Sequence, residues 1–170
     1  MDTKRDRRQF LKLAGLGGVV FASGLPGWVE AAGRGATGTE DFYFVQLSDT
    51  HWGFSDPVIN PDAEGTLRKA VEAVNALEHQ PDFVVFTGDL THTTDDPMER
   101  RKRLSQFKEI AAGLKVKDVK FMPGEHDASL DRGKAFGEFS GATHYTFEHK
   151  GVQLIALDNV SDPAALIGDD

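Results

Sequence analysis

The chain has 170 residues, six histidines and no cysteine, which excludes disulfides and thiolate metal sites. Any metal must be held by Asp, Glu, His, Asn or backbone oxygen, a donor set that suits manganese, iron, zinc or magnesium. The formal net charge is −8; the first 31 residues hold five of the 19 basic and three of the 27 acidic residues, so residues 32–170 carry −10 and do not attract nucleic acid non-specifically.

In chain order, residues 1–12 are basic and contain Arg7-Arg8-Gln9-Phe10-Leu11-Lys12, followed by an uncharged stretch over 13–29. Val29-Glu30-Ala31 resembles a small-residue cleavage site. The arrangement resembles a twin-arginine signal, with Asp6 where Ser or Thr is commoner. Glycines at 15, 17, 18, 24 and 27 and Pro26 break the apolar run, which is also short for a spanning helix of about 20 residues. The rival is an uncleaved, membrane-anchoring N-terminus. The expected organisation is a leader over 1–31, a polar linker over 32–40 and one domain over 41–170. This expectation names the twin-arginine export machinery as a partner, the periplasm or another extracytoplasmic space as destination, and no stable membrane span after cleavage.

Residues 42–47 are apolar and β-prone, ending at Ser48-Asp49. Leu67, Val71, Val74 and Leu77 recur at helical spacing and predict an amphipathic helix over 63–79, ended near Pro81. Residues 82–86 are apolar at consecutive positions, as in a strand covered on both faces. A second helix is expected over 97–113, with Leu104, Phe107, Ala111 and Leu114 on one stripe. A third strand comes next over 117–122, ended by Pro123-Gly124, then a short helix over 131–139. Two β-prone runs, 143–147 and 152–157, flank Lys150-Gly151 and predict a hairpin. Strands separated by helices imply an α/β fold with a parallel sheet.

The polar residues that carry chemistry fall just beyond the three early strands. Asp49-Thr50-His51 follows the first, Gly88-Asp89 the second and Gly124-Glu125-His126-Asp127 the third. Open α/β sheets bind ligands beyond those strand ends. Alone, an Asp-x-His triplet is more often a turn or a helix cap, and Gly-Asp is usually a turn. Their order and their common position after apolar strands point to one site.

The runs LSDTHWG, VVFTGDLTH and MPGEHD resemble the signature of calcineurin-like metallophosphoesterases, over about 42–157. That resemblance implies an αββα sandwich and two divalent or mixed-valence metal ions (Mn, Fe or Zn) that share a hydroxide for in-line attack on a phosphate ester. It implies Asp49 and His51 as ligands of one metal and Asp89 as a bridge to the second. Glu125 stands where the family usually has Asn as a ligand of that second metal, and the resemblance implies that it still ligates. It makes His126 the general acid for the leaving oxygen, with Asp127 orienting it. A metal pair also supplies the local positive charge that phosphate binding needs in so acidic a chain.

Two departures bear on activity. Glu125 offers an anionic oxygen in place of a neutral one, and no histidine follows His149, whereas the family has further histidines after the hairpin region. The sandwich is therefore expected to be incomplete, lacking its second half. Of the other histidines, His92 stands close enough to Asp89 to lie behind the ligands, His79 sits near a helix end, and His144 and His149 are expected exposed on the hairpin. The expected function is metal-dependent hydrolysis of phosphomonoesters or phosphodiesters, possible loss of activity through truncation included; the rival is an exported metal- or phosphate-binding domain without catalysis.

Overall fold

The expected βαβ alternation forms in the computed structural model, which describes residues 20–23 and 41–162. Strands β2 (Tyr43–Leu47), β3 (Phe83–Phe86) and β4 (Val119–Phe121) pair in parallel. Phe44 lies opposite Phe83, and Phe86 opposite both Leu47 and Phe121. On the other side of β2, β1 (Val20–Ser23) pairs antiparallel, so the sheet order is β1-β2-β3-β4. The rest of the expected leader and linker lies outside the described residues. No helix among the described residues is long and apolar enough to cross a membrane.

Side-chain alternation divides the sheet into two faces. Val45, Leu47, Val84 and Phe86 are buried with Leu67, Val71 and Val74 of α1 (Ala63–Asn75) and with Phe107 and Ala111 of α2 (Pro97–Ala111). Both helices begin on an aspartate cap. Asp62 accepts from the amide of Gly65, and Asp96 accepts from those of Met98 and Glu99, with Pro97 at the first helical position. Helix α1 stops four residues short of the expected 79 because other groups take its last carbonyls. Gln80 Nε2 reaches Val74 O and Asn75 O at 3.4 Å, and Lys115 Nζ donates to Asn75 O at 2.9 Å. Helix α2 ends in tighter turns, Gly113 N to Ile110 O and Leu114 N to Ala111 O.

Beyond β4 come the short α3 (Glu125–Ala128), which periodicity did not reveal, and α4 (Lys134–Ser140). The hairpin of β5 (Tyr145–His149) and β6 (Val152–Ala156) then lies against the other sheet face. Lys150 and Gly151 both have positive φ, 47° and 79°, the geometry that matches the twist of a two-residue turn. Phe147 meets Phe83 edge-on at 5.5 Å, and Tyr145 Oη donates to Phe121 O at 2.9 Å. β3 is thus buried on both faces, as its continuous apolar run implies.

His149 corrects the expectation of an exposed hairpin histidine. Its Nε2 lies 3.1 Å from Asp82 Oδ1, and its ring packs on Phe42 and Phe83, because the pleat turns alternate hairpin residues toward the sheet. His144 is exposed, as expected. Helix pair, sheet and opposing hairpin make a mixed α/β fold that matches part of the expected αββα sandwich. Ile155 and Leu157 remain exposed on the hairpin's outer side.

Candidate metal centre

The loops after β2 and β3 continue the strand pairing past the strand ends. Asp49 N donates to Gly88 O at 3.1 Å, His51 N to Asp89 O at 2.9 Å, and Trp52 N to Leu90 O at 2.9 Å. This zipper holds Asp49-Thr50-His51 alongside Gly88-Asp89. The third loop closes on them: Asp89 Oδ1 accepts from His126 N at 3.0 Å.

Glycine makes that closure possible. A Cβ on Gly124 would lie 2.1 Å from Asp89 N and 2.2 Å from Asp89 Oδ1. Gly88, at φ 113°, faces the Gly124 backbone, where a Cβ would come within 2.9 Å. Asp49, His51 and Asp89 themselves adopt positive φ of 57°, 42° and 48°. Side chains other than glycine rarely take this conformation, and it gathers where a site over-determines the backbone.

The result is a three-ligand set: Asp49, His51 and Asp89 offer atoms that all lie within 4.8 Å of one another. His51 Nε2 is 3.9 Å from Asp49 Oδ1 and 3.9 Å from Asp89 Oδ2. Tetrahedral ligands about 2.1 Å from a cation stand about 3.4 Å apart, so His51 Nε2 needs to close on each carboxylate by only about half an ångström to share one. Two carboxylates and an imidazole suit a first-row divalent ion.

His51, His92 and His126 form a second such set. The His92 ring stacks on His126 at 5.1 Å, and its Nδ1 lies 3.4 Å from His51 Nδ1. Burial, then the facing imidazoles of His126 and His51 and the Arg103 cation, hold His92 below its ordinary pKa, against the pull of Asp89. His92 is closer to the ligands than sequence spacing indicates; its place four residues from Gly88 was the only signal.

Glu125 belongs to neither set. Its side chain is 75% exposed, with Oε1 3.8 Å from His126 Nε2. Asp89, the expected bridge, turns Oδ2 toward His51 and spends Oδ1 on the His126 amide.

Asp127 corrects the expected role of orienting His126. It is 1% exposed, and both its oxygens point away to other donors. Oδ2 accepts from Leu90 N at 2.9 Å and Gly124 N at 3.0 Å; Oδ1 accepts from Thr91 N at 2.8 Å and Thr91 Oγ1 at 3.0 Å. Burial pushes this carboxyl above the usual carboxylate range, while those four donors pull it down. At His126 it is Thr93 that meets Nδ1, through its hydroxyl and through its amide at 3.3 Å. Nothing in the sequence singled out Thr93.

A family model described as calcineurin-like phosphoesterase matches residues 42–167. The serine/threonine-protein phosphatase CPPED1 of Danio rerio is 26% identical over 133 residues, covering 69% of this chain and 43% of its own length. A probable glycerophosphodiester phosphodiesterase GpdQ of Arcobacter nitrofigilis is 32% identical over 124 residues, covering 68% and 42%. The chain spans less than half the length of these curated relatives. Among solved structures, the protein of unknown function AQ665 from Aquifex aeolicus aligns at a TM-score of 0.33 and 18% identity, over 66% of this chain and 57% of that one.

Proposed function

We propose that this chain, which belongs to the calcineurin-like phosphoesterase family, hydrolyses phosphomonoesters or phosphodiesters with the help of bound metal. Asp49, His51 and Asp89 carry this reading, since two neighbouring strand-end loops bring their ligand atoms within 4.8 Å. Manganese, iron or zinc held there supplies Lewis acidity at a phosphoryl oxygen and an activated water at neutral pH.

The remaining work falls to the chain's own groups. The two carboxylates supply the negative charge that holds a cation. Asp89 and Glu125 are the residues we assign to a second cation of a dinuclear centre; Glu125 is exposed enough to rotate toward it. His126 is assigned as the general acid for the leaving oxygen through Nε2. The Thr93 hydroxyl can accept from Nδ1–H or donate to a bare Nδ1 and so holds the ring in either protonation state, whereas the Thr93 amide can meet only the bare nitrogen. Asp127 fixes the loop that carries His126. Delivery outside the cytoplasm by the twin-arginine route is part of the same proposal, supported by Arg7-Arg8-Gln9-Phe10-Leu11-Lys12. Fusing residues 1–31 to a reporter tests it: export should cease when Arg7 and Arg8 become lysine, and export that persists refutes the route.

Manganese-supported cleavage of p-nitrophenyl phosphate and of bis(p-nitrophenyl) phosphate tests the activity. Turnover lost on Asp89→Asn supports it. Metal binding through Asp49, His51 and Asp89 without turnover makes the chain a binding domain, the reading that the outlying Glu125 favours. Failure to bind any divalent metal refutes both.

A further inference from the structure

His51 presents its two ring nitrogens to two different neighbourhoods. Nε2 faces the carboxylates, 3.9 Å from both Asp49 Oδ1 and Asp89 Oδ2, while Nδ1 faces His92 Nδ1 at 3.4 Å. An imidazole that gives one nitrogen to a cation keeps its proton on the other, and the group receiving that proton's hydrogen bond sets the ring's orientation and basicity. We propose that His92 is a positioning residue for the metal centre: it accepts a hydrogen bond from His51 Nδ1–H and so commits His51 Nε2 to the cation. The inference rests on the metal centre assigned above and adds a residue that sequence spacing left behind the ligands.

The surroundings of His92 suit a fixed acceptor. Its amide donates to Trp52 O at 2.9 Å, and its carbonyl accepts from Arg103 Nη1 at 2.9 Å. Its ring meets the His126 ring, 5.1 Å away at 23°, and the edge-on ring of Phe54 at 5.0 Å. Backbone and ring are therefore held by three separate segments: the Asp49–Phe54 loop, α2 and the His126 loop. A ring so confined can hold His51 in one orientation. The rival arrangement also stands on geometry, since His92 falls in the three-imidazole set with His51 and His126 and can itself ligate.

Zinc titration of the metal-free protein by calorimetry, with zinc-loaded imidazole ¹⁵N spectra, separates these cases. His92→Leu should weaken zinc binding by about 10- to 100-fold. His92→Asn, which places an acceptor oxygen where Nδ1 stands, should recover most of that loss. In the wild type, His51 should show one metal-bound nitrogen and one N–H, and His92 a proton-free Nδ1 with no coordination shift. A coordination shift at His92, or unchanged affinity in His92→Leu, overturns the proposal. Should wild type and Asp49→Asn bind zinc equally, the metal centre itself is misassigned, and the role of His92 falls with it.

Discussion

Asp127 Oδ1 sits 2.8 Å from the amide of Thr91 and 3.0 Å from its hydroxyl, across 36 residues of chain. With Oδ2 on Leu90 and Gly124, one buried carboxylate fastens the loop after β4 to the loop after β3. The positions of Asp89 and His126 relative to each other depend on this fastening.

Asp127→Asn should therefore act as a structural lesion. Each oxygen accepts at least one backbone N–H, so an amide nitrogen in either place confronts a donor with a donor. A loss of about 2–4 kcal/mol is expected, read as a lowered denaturation midpoint. A midpoint within error of wild type would show that the carboxylate is dispensable.

Gly124→Ala should disturb the metal centre more than the core. The added Cβ would fall 2.1 Å from Asp89 N, so Asp89 must move. Zinc affinity should drop by at least about 10-fold while the helix and strand signal in circular dichroism is retained. Wild-type affinity would mean that the two loops separate without consequence.

Metal should also stabilise the fold. At a free zinc concentration about 100 times its dissociation constant, stability should rise by about 2.7 kcal/mol, reversed by a chelator and absent in Asp49→Asn. Thermal melts with and without zinc decide this; equal shifts in the variant would place the ion elsewhere.

Thr93→Val should strip the hydroxyl from His126 Nδ1 and leave it only the residue 93 amide at 3.3 Å, whereas Thr93→Ser should keep both. Given activity, the valine variant is expected to lose roughly 10- to 100-fold in turnover and to show an altered pH profile on its acid-dependent limb. Equal rates in both variants would remove Thr93 from the mechanism.

The hairpin supplies a pH test. Lys150 first, with His149 and the Tyr43 amide, holds the Asp82 carboxyl below the usual range despite its partial burial. A depressed carboxyl pKa adds stability that is complete above the unfolded value of about 4 and is lost as pH falls through the depressed one. Wild type should thus exceed Asp82→Asn by up to about 1 kcal/mol at neutral pH, with the gap closing below about pH 4. A gap that does not change with pH would assign Asp82 no ionic role.

Periodicity and punctuation made most of the elements legible. Leu67, Val71 and Val74 announced α1, the run 83–86 announced a strand buried on both faces, and Lys150-Gly151 announced the hairpin turn. The end of α1 was not legible. It depends on Gln80, whose side chain folds back on Val74 and Asn75, and on Lys115, which only the packed fold brings to the Asn75 carbonyl.

Covalent order alone placed Asp49, His51, Asp89 and His126 after apolar strands, and parallel pairing does the rest, since neighbouring strands must end side by side. Which polar group meets which was settled only in three dimensions. Asp127 adjoins His126 in sequence yet spends its oxygens on Leu90, Thr91 and Gly124, while Thr93 and His92, 33 and 34 positions from His126, come to lie against its ring. Hydrogen-bond direction and close backbone approach are properties of folded geometry, and sequence spacing does not encode them.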